Sequence, residues 1–213
     1  MSSIPSTPAN PLARQPEARS SSKERFQSLM RSIGMLPVLI LLSIAFGMAA
    51  DGFFTAQNFS IIAQQASINI VLAAGMTFVI LTAGIDLSVG SVLAASAVVA
   101  VLASTLPGFG MLGILAGIAT GLAFGLINGG LVAFAKLPPF IVTLGSLTAV
   151  RGIARLLGND QTVFNPELPF AFIGNDNLLG LPWLVWIAAA VIAGSWFILR
   201  RTVLGLHIYS VGS

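Results

Sequence analysis

Cysteine is absent from the 213 residues and histidine occurs once, as His207. No disulfide can therefore staple an external loop, no thiolate metal site can form, and a lone imidazole makes no metal cluster. Charge is the next scarcity. Only 8% of the residues are charged, where an ordinary soluble domain carries about 25%. What fills the space is apolar: 56% of the chain is hydrophobic and the mean hydropathy is +0.94. That balance identifies an integral membrane protein whose solvent is lipid. Lys and Arg together number 10 against 7 acids, an excess that in a soluble chain would suggest a nucleic-acid partner. Here the basic residues sit at the ends of apolar runs and form neither stripe nor patch, which excludes that partner.

Catalytic motifs are missing too. The sequence has no GxxxxGK[ST] phosphate loop, so this chain cannot cradle a nucleotide in that manner, and ATP chemistry would have to come from another polypeptide. No Ser, His and Asp set and no carboxylate pair suggests an enzyme or a cofactor held on this chain. Residues 1–32 are rich in Ser, Pro and Arg, with Glu17 and Glu24 interspersed, and read as a disordered cytoplasmic tail. The Arg and Ser content suggests an organelle transit peptide, but the Glu and Pro argue against its amphipathic helix. The first apolar run starts too late and runs too long for a secretory signal.

A bilayer core about 30 Å thick takes about 20 apolar residues in helix. Six runs approach that length: Ile33 to Ala50, Ile61 to Ala83, Ser88 to Ser104, Met111 to Ala135, Phe140 to Leu157 and Pro182 to Leu199. The expected fold is an all-α polytopic bundle over residues 33–213. The fifth run is the weakest, because Arg151 and Arg155 interrupt its second half. Orientation follows from the retention of Lys and Arg on the cytoplasmic side. With the tail inside, Arg14, Arg19, Lys23, Arg25, Arg31, Lys136, Arg200 and Arg201 are cytoplasmic, and only Arg151 and Arg155 lie toward the outside. The connection from Gly158 to Leu181, with Glu167 and Asp176 among its acids, is then external and open to an extracytoplasmic partner.

Within the spans, polar and small residues mark candidate sites. Gly113, Gly117, Gly121, Gly125 and Gly129 recur every four residues in the fourth run. At 3.6 residues per turn that spacing drifts by about 40° per step and traces a slanted groove. Small-xxx-small grooves let helices approach closely in lipid; a substrate path along the groove is the alternative. In the second run Gln64, Gln65, Ser67 and Asn69 fall within two turns, and Gln65 and Asn69 share one face. Such groups point at the bundle interior or a wet cavity. Interhelical hydrogen bonds are the plain reading; the functional one makes Gln64, Gln65 and Asn69 the wall of a path for a hydroxyl-rich ligand. Arg151 and Arg155 are also four apart, either snorkelling to the outer surface or anchoring the acids of the external loop.

One carboxylate, Asp86, stands between two apolar runs in LTAGIDLSVGSV. Gly84 can end the second span in a left-handed conformation, and Asp86 can accept the free N–H groups that begin the third, with Ser88 and Ser91 in or beside its first turn. A titrating or ion-binding role is the alternative for an acid in this setting.

TAGIDLSVGSVLA (82–94), which holds Gly84, Asp86, Ser88 and Gly90, NGGLVAFAKLPPFIVTLGSLTAVRGIA (128–154) and the terminal LGLHIYSVGS together resemble the bacterial ABC sugar-importer permeases of the ribose and xylose type. The resemblance runs from about residue 33 to the last residue. It implies a multi-pass protein of the bacterial inner membrane that lines the translocation path, a second permease subunit, identical or not, and ATP-binding subunits in the cytoplasm. A soluble sugar-binding protein would dock outside. In such permeases a cytoplasmic coupling helix and further spans follow the YSVGS-like segment, so the chain is expected to be C-terminally truncated. An ion-coupled secondary transporter using Asp86, or a non-transporting membrane fragment, are the competing readings.

Overall fold

The computed structural model describes residues 34–108 and 110–212; the predicted tail at 1–32, with its five basic residues, lies outside that range. The chain divides into two units, residues 1–54 and 55–213. In the first, helix α1 spans Leu36–Ala49, with Pro37 at its start, where a missing N–H costs nothing. Phe53 stacks against Phe46 at 6.2 Å and meets Phe54 edge-on at 5.1 Å.

The second unit holds α2 (Ala56–Leu81), α3 (Val89–Ser104), α4 (Leu112–Ala133) and α5 (Pro139–Leu157). A short helix α6 (Phe172–Asn175) and a hairpin of β1 (Asn177–Leu178) and β2 (Leu181–Pro182) follow, then α7 (Trp183–Arg201) and α8 (Val203–Val211). Leu179 and Gly180, both at positive φ, make the two-residue hairpin turn. Helices thus occupy all six predicted runs. By length and composition α2, α4, α5 and α7 are long enough to cross a membrane, whereas α1 with 14 residues and α3 with 16 are shorter. The expected weakness of the fifth run is not seen: α5 continues unbroken through Arg151 and Arg155, because Arg is a good helix former and its charge, not its backbone preference, interrupts the apolar count.

Two helix groups make up the unit. α3, α4 and α5 pack on one another, and α2 packs on α7 and α8. In the first group Ala95, Val150 and Ala154 form a small core with Val92 and Phe124 against it. Outward, α4 presents Leu115, Ile118, Leu122 and Leu126, each about 60% exposed or more. A surface this apolar is far beyond what a water-soluble monomer shows, and lipid is its natural solvent.

The glycine groove is filled over only part of its length. Gly113 and Gly117 are buried; a Cβ on Gly117 would lie 3.0 Å from the Ala100 Cβ, and one on Gly121 3.4 Å from Ser96 Oγ of α3. Gly125 and Gly129 meet nothing within 4 Å. α3 thus fills the slanted groove at Gly113, Gly117 and Gly121 and leaves it at Gly125 and Gly129, in keeping with a drift of about 40° per step.

The α2 terminus corrects a second expectation. Ala83, not Gly84, is left-handed, at φ +56. Ala83 N donates to Ile80 O and Gly84 N to Val79 O, each at 2.9 Å, the paired bonds of a Schellman motif in which the left-handed residue precedes the last donor. Gly84 serves close approach instead, since a Cβ there would lie 3.1 Å from both the oxygen and Cγ1 of Val79. Ala83 carries a strain that glycine would remove. Ala83→Gly is expected to raise stability by about 0.5–1 kcal/mol, read as a higher midpoint when the three Trp residues report thermal unfolding in detergent; a lower midpoint would contradict the assignment.

α8 is tied down by glycines. A Cβ on Gly205 would stand 2.6 Å from Ile198 O of α7, and one on Gly212 would collide with Leu81 O of α2. This junction brings the ends of α2 and α7 together, so Arg200 and Arg201 lie at the same end of the unit as the α2–α3 loop.

Candidate functional site

A seam of polar side chains begins at Asp86. Its carboxylate Oδ1 accepts from Ser88 N at 2.7 Å and from Ser88 Oγ at 2.6 Å. α3 starts at Val89 with Ser88 at its N-cap position. Asp86 therefore stands two residues before the cap and closes an Asx turn, instead of reaching the first-turn N–H groups as the sequence suggested. The reason is local: a side chain two residues upstream reaches only the N–H of Ser88. Its negative charge still lies at the positive end of α3.

Ser88 is completely buried and passes the seam across the bundle. Asn128 Nδ2 of α4 donates to Ser88 Oγ at 3.0 Å, and Asn128 Oδ1 accepts a short hydrogen bond from Ser146 Oγ of α5. Thr143 Oγ1, also on α5, donates to Ile85 O at 3.1 Å, and Ser91 Oγ donates to Ser88 O at 2.8 Å. One loop and three helices are thus joined through groups whose donors and acceptors are matched, the condition for burying polar atoms without loss. Both bonds to Asp86 fall on one oxygen, and the geometry is that of a brace. Asn128, Thr143 and Ser146 were not singled out from the sequence; the signal was a single amide inside a 22-residue apolar helix. Gly90 is exposed and meets nothing within 4 Å of a built Cβ.

Because Ile85 meets Thr143 and Ser88 is linked through Asn128 to Ser146, both in the first half of α5, α3 and α5 leave this seam in the same direction. Lys136, between α4 and α5, shares the end that the charge distribution places inside.

The second-span amides lie elsewhere. Gln65 and Asn69 are exposed on α2 and Gln64 is half-buried, while Ser67 is buried and donates to Ala63 O at 2.7 Å. The structure does not bring these amides to the Asp86 seam. Toward the other end, Arg155 Nε donates to Asp160 Oδ1 at 2.6 Å, the pairing of α5 with a loop acid that the arginine spacing raised. Among the described residues no three His, Asp or Glu side chains form a set that could hold a metal ion.

The chain matches the family described as "Branched-chain amino acid transport system / permease component" over residues 58–213. It belongs to that permease family. Similar curated proteins include the ribose import permease of Escherichia coli strain K12, 36% identical over 189 residues, covering 86% of this chain and 58% of that protein. The fructose import permease of Rhizobium meliloti is 37% identical, covering 83% of this chain and 52% of its own. The D-allose transport system permease of Escherichia coli strain K12 is 32% identical, covering 92% and 61%. The chain thus spans roughly three fifths or less of the length of these relatives. No solved structure matches it. With its apolar helices, this permease-family chain is a multi-pass protein of the inner membrane.

Proposed function

We propose that this chain is the membrane-spanning subunit of an ATP-binding-cassette importer for a monosaccharide of the ribose or xylose kind. It forms the translocation path with a second permease subunit. A cytoplasmic partner binds and hydrolyses ATP, and an extracytoplasmic sugar-binding protein delivers the substrate. The chain itself is not an enzyme and carries no cofactor.

The observation that carries this reading is the similarity to permeases named for three neutral sugars, each spanning more than four fifths of this chain. The seam from Asp86 to Ser146 supports it by giving the GIDLSVG block a mechanical role, that of fixing the α2–α3 turn, at the inner end, onto α4 and α5. A partner that pushes on that end moves these helices as one body. Gln64, Gln65 and Asn69 remain candidate path residues, their amides suited to hydroxyl groups; the exposed pair, Gln65 and Asn69, needs a wet cavity or a protein neighbour, not lipid.

Gentle extraction of an N-terminally tagged chain from its native membrane, followed by mass spectrometry of what co-purifies, tests the reading. A P-loop ATPase in the complex is expected. Isolation of the chain with no nucleotide-binding partner would contradict it.

A further inference from the structure

The arginines of α5 border a cleft that the sequence does not reveal. α3 rises about 24 Å over its 16 residues. Its far end is marked by Asn165 Nδ2, which donates to Ser104 Oγ at 2.9 Å. Arg151, Arg155, Asp160 and Gln161 instead surround a cleft whose floor is Ala94 and Val98 of α3 and Ala154 of α5. Val98 is ten residues beyond Ser88, about 15 Å up the helix, and Ala94 only about 9 Å. The cluster therefore stands beside the middle of α3, and the chain climbs from it to reach Ser104.

A tight turn builds this placement. Asn159 and Asp160 are both left-handed, at φ 54 and 55. Asn159 N donates to Leu156 O at 3.1 Å, Asp160 N to Arg155 O at 2.9 Å and Gln161 N to Gly158 O at 3.0 Å. The carboxylate is thereby folded back onto Arg155 Nε, and Arg155 and Asp160 stay 71% and 64% exposed. Arg151, one turn away on the same face, has no ion pair among the described residues. Charged groups exposed beside a membrane helix line water or protein, or reach to the aqueous surface.

The cleft has a volume of about 340 Å³, at the small end of the range for ligand pockets, roughly 300–1,000 Å³. Its walls offer guanidinium and amide donors beside carboxylate and amide acceptors, and its floor is apolar. A cation would meet two arginines, and for a carboxylate ligand the attraction of Arg151 is opposed by the Asp160 carboxylate beside it. A neutral ring with hydroxyls around its edge and C–H groups on its face satisfies every wall. We infer that this α3–α5 cleft is a water-filled station of the translocation path that holds a neutral monosaccharide, separate from the amides of α2. The ligand class rests on the importer reading; the presence of water does not.

The cysteine-free sequence makes the test direct. Ala94→Cys, at an exposed position, is introduced into the full chain in native membranes with its partners. It is then labelled with a membrane-impermeant thiol reagent, beside Leu122→Cys on the outward face of α4, 61% exposed. The cleft position is expected to react about tenfold faster than the lipid-facing control, and ribose, but not a sugar acid of the same size, is expected to slow it severalfold. Equal rates at the two positions would overturn the wet cleft. Fast labelling that ribose leaves unchanged, or that the sugar acid slows as much as ribose does, would overturn the neutral-sugar occupant. Protection by ribose in a preparation that yields no ATPase partner would keep the site while removing the importer reading.

Discussion

Replacing Gly113 by alanine is expected to lower the stability of the bundle by about 2–3 kcal/mol, at the upper end of what overpacking costs. A Cβ there would press on the backbone oxygen of Ala100 inside any allowed contact. It would also lie 3.0 Å from Cε1 of Phe170 and 3.1 Å from the Cβ of Ser104. The first obstacle is the backbone of α3, which no rotamer change relieves, so α3 and α4 must part. The same substitution at Gly125 or Gly129, where nothing lies within 4 Å, removes the entropic cost of a mid-helix glycine and is expected to raise stability by about 0.5–1 kcal/mol. Thermal unfolding of the three variants in one detergent reads the contrast. Equal effects at Gly113 and Gly125 would show that the groove does not pack as described.

Asn128→Leu is expected to cost about 1–3 kcal/mol, the range for leaving buried polar partners unsatisfied. The amide links Ser88 of the α2–α3 loop to Ser146 of α5, so its loss strands a hydroxyl on each side and forces a branched side chain into their place. In the membrane some of that loss is recovered by alternative partners, which sets the lower bound. Combining Asn128→Leu with Ser146→Ala separates the seam from simple overpacking: the double variant is expected to be less destabilised than the sum of the two single changes. Strict additivity would mean that the two side chains do not interact.

These two sites also show what the sequence could and could not convey. The helices were legible because each apolar run is a local property of 14 to 26 consecutive residues, and lipid demands that such runs satisfy their backbone bonds within themselves. The glycine spacing carried the groove in the same way, although not the point where α3 leaves it. Asn128 was not legible as a site residue because its partners are 40 and 18 residues away, and no periodicity encodes which helix faces which. The left-handed conformation at Ala83 was missed because glycine preference points one residue later, where the need is for space beside Val79. The cleft beside Arg151 and Arg155 was not legible because the residues that complete it, Ala94 and Val98, belong to α3 and lie more than 50 positions earlier.

Whether this chain conducts a neutral sugar under the control of a partner ATPase is tested most directly by uptake. Radiolabelled ribose is supplied to cells carrying this permease at the full length of its relatives, with its partners, once with an uncoupler that spares ATP and once with ATP depleted. Uptake is predicted to survive the uncoupler and to vanish with ATP, and to persist in Asp86→Asn, which keeps an oxygen for the Ser88 brace. Uptake that collapses with the uncoupler while ATP remains, and is lost in Asp86→Asn, would show an ion-driven carrier and contradict the account.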